Sequence, residues 1–155
     1  MGMPINTGVR YNPSTESWLP MTVIGAPEAR TRHSFTWSGQ YAVAWGGRNS
    51  MWVPVANGGR YDPATGQWSA LASLSTARGY LGIAVCGEKI YTVGGRDGVG
   101  ASNAVEEYDS RLDSWRTPSS LPQSVSDMGL VAVMGRLVTG GGGGRRSNCS
   151  FSLGI

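Results

Sequence analysis

Among side chains able to do chemistry, arginine dominates this sequence: of 13 basic residues, only Lys89 is not arginine. Planar guanidinium groups bind carboxylate or phosphate in bidentate fashion, so the first chemistry suggested is recognition of an anion. A bias in codon composition would give the same excess. Bond-making machinery is scarce. His33 is the single histidine, which excludes a His-rich copper or zinc centre within one chain. A Ser-His-Asp arrangement would have to use His33 as its base, and no nucleophile-elbow motif accompanies it. Cys86 and Cys149 stand far apart with no CxxC, so neither a zinc site nor a disulfide scaffold is indicated, and Cys86 reads as a lone buried thiol. Neither GxGxxG nor GxxxxGK[ST] occurs at a strand-to-helix junction. No catalytic residue, metal or cofactor is assigned.

The elements that position these arginines follow from composition. The chain has 155 residues, with 24 Gly and 8 Pro, and only 15% are charged, which excludes a coiled coil, a helical bundle and a charge-rich disordered tail. Helix formers are scarce while Trp, Tyr, Val and Thr are well represented, so the expectation is all-β. The first ten residues contain no apolar h-region and no window approaches a membrane span, so a cytoplasmic chain without membrane contact is expected. The formal charge of +3 is modest. No Lys/Arg run is interleaved with exposed aromatics, so nucleic acid is not expected as a partner.

A repeat organises the chain. Tyr11 and Trp18, Tyr61 and Trp68, and Tyr108 and Trp115 are each seven positions apart, and the three copies follow one another at intervals of 50 and 47 residues. Between them lie the glycine doublets Gly46-Gly47 and Gly94-Gly95, with a third inside the run Gly140 to Gly144, each preceded by a short apolar stretch. These landmarks resemble the kelch repeat from about Asn6 to Gly142, the first copy being similar to the bacterial form. The third copy departs from the pattern, with Ser126 and Asp127 where the others carry an Arg before the inner strand.

The resemblance implies a β-propeller of four-stranded antiparallel blades, the architecture of the central domain of galactose oxidase-like proteins. The copper ligands of those oxidases have no counterpart here. In each blade, strands a and b join at Gly39 or Gly87, and strand c turns into d through Asp62 to Gln67, where Pro and Gly meet turn requirements. The six repeat aromatics read as structural, packing between blades. Gly46, Gly47, Gly94 and Gly95 read as close-packing devices.

Residues 1–142 would hold strands c and d of one blade, two whole blades, and strands a and b of a last one, with 143–155 a Gly/Arg/Ser tail, poorly ordered or edge-pairing. Twelve strands make three blades, too few to encircle an axis. Either the sequence belongs to a longer propeller, or two copies close a six-bladed ring through composite blades.

Antiparallel order puts the d-to-a and b-to-c loops on one face. That face gathers Arg30, Arg32, His33, Arg78 and Tyr80 with Arg48, Asn49, Arg96, Asp97 and Asn103, and then Arg145 and Arg146, against Glu28, Asp97 and Asp127. The ligand-binding candidates are Arg32, His33, Arg48, Asn49, Arg78, Arg96 and Asp97. For Arg30 and Arg78 the alternative is a structural bond to blade carbonyls. Trp52 either walls the site or starts strand c. The kelch resemblance implies a non-catalytic module that holds an acidic peptide or another anion on this face. A purely structural self-assembling unit is one alternative. Another is a mutarotase for a sialic acid-like sugar, using Glu28 or Asp97 with His33.

Overall fold

The structure, a computed structural model, describes residues 3–143 and the backbone of 151–154. Arg145, Arg146, Cys149 and the triplet Asn148-Cys149-Ser150 lie outside the described residues. All regular elements described are strands: β1 (Val9–Asn12) and β2 (Ser17–Pro20); β3 (Ser34–Trp37), β4 (Ala42–Trp45), β5 (Gly58–Asp62) and β6 (Gln67–Leu71); β7 (Gly82–Cys86), β8 (Lys89–Val93), β9 (Val105–Asp109) and β10 (Ser114–Arg116); β11 (Gly129–Val133), β12 (Arg136–Gly140) and β13 (Phe151–Gly154). Every pairing is antiparallel, giving two four-stranded sheets in simple sequence order, a two-stranded one at the start and a three-stranded one at the end. The last blade has a third strand beside the expected a and b, because β13, in the tail for which edge-pairing is one of the two expectations, adds along β12. Trp52 starts no strand: β5 begins at Gly58.

The second strand of each full blade is covered on both faces, and its sequence says so. Val43, Ala44 and Trp45 in β4, and Ile90 to Val93 in β8, are all buried, as a largely apolar run requires, and the one interruption, Thr92, accepts a bond from Arg78. Two clusters make the core. Val43, Trp45, Leu71, Leu74, Leu81, Ile90 and Tyr108 lie between the full blades; Ala84, Tyr91, Val93, Val105, Leu121, Val125 and Leu137 lie between the second of these and the last blade. Cys86 is only half-buried, at the edge of the second cluster, which corrects its expected full burial.

Trp45 explains the repeat aromatics. Its indole meets Tyr108 and Trp115 of the next blade edge-on, with ring centroids 4.8 and 5.0 Å away, and both indole N–H groups donate to the Ala72 carbonyl. Tyr108 is buried in consequence, and its hydroxyl donates to Asp113, which also accepts the Ala72 N–H. The first copy differs. Tyr11 and Trp18 stack on one another but remain 48% and 64% exposed, so they do not pack between blades as expected. No counterpart of β4 covers them among the described residues. Trp68, in the second copy, keeps a buried Nε1–H without an acceptor.

The glycine doublets stitch blades together. Gly47 N–H donates to the Arg78 carbonyl and Gly95 N–H to the Val125 carbonyl, each across to the next blade. Both members of each doublet have positive φ, from 60° to 101°, and a Cβ on Gly46 would collide with the Arg78 carbonyl. The same backbone signature identifies the third doublet as Gly141-Gly142, with φ of 74° and 103°. By this register the position of Arg30 and Arg78 falls on Val125 in the third copy, one residue before Ser126.

Candidate functional site

The d-to-a and b-to-c loops do converge on one face. Isolated bridges join Thr31 to Arg48, Gly79 to Arg96 and Ser126 to Gly143, one per blade. The residue following the first member of each pair, namely Arg32, Tyr80 and Asp127, adopts positive φ of 57° to 58°. Such a conformation is uncommon for non-glycine residues and tends to occur where surrounding structure holds a side chain in place. Here the support is a relay of backbone bonds, with Tyr80 N–H donating to the Arg32 carbonyl and Asp127 N–H to that of Tyr80.

Side chains then assemble around Tyr80. The Arg32 guanidinium lies 5.2 Å from the centre of its ring and that of Arg48 5.9 Å, so two like charges are held close by one aromatic face system. Arg48 is further fixed by donating to the Trp52 carbonyl at 2.6 Å and to the Asp97 carbonyl at 3.0 Å, the second bond crossing to the next blade. Arg96 is exposed. Asn49 and Asp97 occupy one repeat position and shape the two loops: Asn49 Oδ1 accepts the Met51 and Val53 N–H groups, and Asp97 Oδ1 those of Val99 and Gly100. The Gly100 and Val99 N–H groups hold the Asp97 carboxyl below its ordinary range, so it stays ionised.

Two of the ligand-binding candidates, Arg78 and His33, sit elsewhere, as does Arg30. Arg78 is fully buried, donating to the Gly94 carbonyl, to Glu106 at 2.5 Å and to Thr92, and no ligand on the face can reach it. This removes it from the ligand-binding set. Arg30 is likewise buried, bonded to the carbonyls of Glu28, Gly46 and Asn57 and to Asn57 Oδ1. His33 lines a groove of about 270 Å³ between β1 and the sheet of β3 to β6, together with Glu28, Phe35 and Trp68. Partial desolvation in the groove and the nearby Arg30 charge keep its imidazole below its usual pKa, although the residue stays exposed at the groove's mouth. Of the acid/base partners considered for His33, Glu28 shares the groove; Asp97 does not line it and is committed to its own loop.

Tyr80, which lies on this face but outside the ligand-binding set, organises the cluster. It shares a repeat position with Arg32 and Asp127, a signal that register alone provides, but nothing in its type reveals positive φ or the two stacked cations.

A family model described as the Kelch motif matches residues 77–122, the segment running from Arg78 through the β7 to β10 blade. The repeats are kelch repeats. Kelch-like protein 36 of Rattus norvegicus is 30% identical over 139 residues, covering 85% of this chain and 22% of that protein. Kelch-like protein 4 of Homo sapiens is 36% identical over 78 residues, covering 50% of this chain and 11% of that protein. Alpha-scruin of Limulus polyphemus is 28% identical over 142 residues, covering 83% and 15% respectively. The chain thus spans between about a tenth and a quarter of the length of the curated relatives it matches.

Proposed function

We propose that this kelch chain is a non-catalytic protein-interaction module whose loop face takes an acidic segment of a partner protein. The observation that carries this reading is the Arg32–Tyr80–Arg48 stack with exposed Arg96 beside it. Cations fixed before binding lose little freedom when a carboxylate arrives, and that favours affinity. The kelch-like relatives support a role in binding proteins. Arg32→Glu combined with Arg96→Glu is the appropriate test, since Arg32 is held by its stack on Tyr80 and neither side chain bonds the loop carbonyls that Arg48 holds in place. Capture of glutamate-rich peptides, read by fluorescence anisotropy, is expected to weaken roughly tenfold or more and to decline with added salt in the parent. Unchanged, salt-insensitive capture would remove the face from the account.

Self-association is a second reading, favoured by the groove beside β1. One edge of β1 pairs with β2, and its other edge has no strand partner among the described residues. The groove there is lined by Val9, Met21, Pro27 and Phe35, the last 53% exposed, and Trp68 Nε1 lacks an acceptor. An unpaired edge with an apolar flank templates another strand. A second copy supplies strands of the right kind in β11 and β12, although β13 already occupies the outer edge of β12 and would have to leave it. Sedimentation equilibrium over a concentration series is expected to give a dimer that Phe35→Glu dissociates. A monomer at every concentration contradicts this reading.

A further inference from the structure

The arginines are flanked by an apolar lobe that the anion reading leaves unused. In the loop after Arg48, Met51, Trp52 and Val53 are 76%, 40% and 50% exposed, and in the matching loop of the next blade Val99 is 99% exposed. Large apolar side chains in such numbers beside one charged cluster are more than the scattered exposure any surface carries.

The lobe is also built. Trp52 has φ of 62°, a conformation that a bulky residue keeps only when its surroundings impose it. Those surroundings are identifiable. Asn49 accepts two N–H groups of the loop through Oδ1, the Trp52 N–H donates to the Asn49 carbonyl, and Asn49 N–H donates to that of Val53. Finally, the guanidinium stacked on Tyr80 holds the Trp52 carbonyl at 2.6 Å. Arg48 thus joins the aromatic clamp, the apolar lobe and the Asp97 loop in one rigid unit.

We infer that the ligand of this face is a peptide in which a bulky apolar side chain lies within a few residues of a carboxylate, the acid meeting Arg32 and Arg96 and the apolar group meeting Met51 and Trp52. An inorganic anion or an acidic sugar would leave the lobe in water. A buried aromatic anchor within a polar rim is where binding energy concentrates at protein interfaces. This inference rests on the acidic-segment reading and narrows it.

Selection of a phage-displayed random peptide library on the immobilised chain tests it, alongside the variant Trp52→Gly with Met51→Ser. Glycine accepts the positive φ at position 52, so the loop keeps its path without the indole. The parent is expected to enrich peptides pairing Asp or Glu with Leu, Phe or Trp, and the variant to enrich the acids alone. For a peptide so selected, the variant should bind about tenfold more weakly, and alanine at the peptide's apolar position should cost as much on the parent and nothing more on the variant. Acid-only enrichment on the parent, or equal selection by the variant, overturns the inference while leaving the acidic-segment reading intact. Failure to enrich acidic peptides at all overturns both.

Discussion

Arg78→Met is expected to destabilise the chain by about 3–5 kcal/mol, because it strands the Glu106 carboxylate, 1% exposed, without its counter-charge. Against a total stability of about 5–15 kcal/mol that is enough to bring the blade close to unfolding. The cost arises from the uncompensated partner more than from the lost attraction. Changing both residues, Arg78→Met with Glu106→Leu, should therefore recover much of it, leaving mainly the unpaired Gly94 carbonyl and Ser75 N–H. Urea denaturation followed by tryptophan fluorescence checks both variants, and a single mutant as stable as the parent would mean the pair is not buried.

Gly46→Ala should be comparably severe, at about 3–5 kcal/mol. The added methyl would overlap the Arg78 carbonyl, which is held in place by the Gly47 N–H, and the alanine would have to keep φ of 65°. Gly87→Ala is the informative control. It carries the same backbone penalty at φ of 60° but has nothing within 4 Å of the new methyl, so about 1–2 kcal/mol is expected. The difference between the two in urea midpoint measures how closely neighbouring blades approach, and equal losses would deny that approach.

Much of this architecture is legible in the sequence. Tyr61 and Trp68, Tyr108 and Trp115, with doublets in register, place β5, β6, β9 and β10 because each turn and apolar run repeats the same local chemistry. What the repeat hides is context. Tyr11 and Trp18 match the pattern yet stay exposed, since burial depends on a neighbouring strand and not on their own spacing. Arg78 and Arg32 are equally basic on paper. One is sealed against Glu106 and the other stands over Tyr80, a difference set by two positions along a loop and by whether φ is positive. Strand β13 lies beyond the third doublet, in a stretch where no repeat landmark announces a strand. Topology places the b-to-c loops on the candidate face, but the Asn49 and Asp97 side chains serve as loop acceptors, a use that ligand-seeking residue types conceal.

Location of the anion decides whether the loop face is what this chain presents to partners. Arginine Nε resonances followed by NMR during titration with a polyglutamate peptide would report it directly. Arg32 and Arg96 are expected to shift first and saturate together, while Arg60 and Arg111, which lie with Ser38, Gln40 and Glu88 beside the a-b and c-d hairpins, stay unmoved. Saturable shifts at Arg60 and Arg111 with Arg32 and Arg96 silent would contradict it.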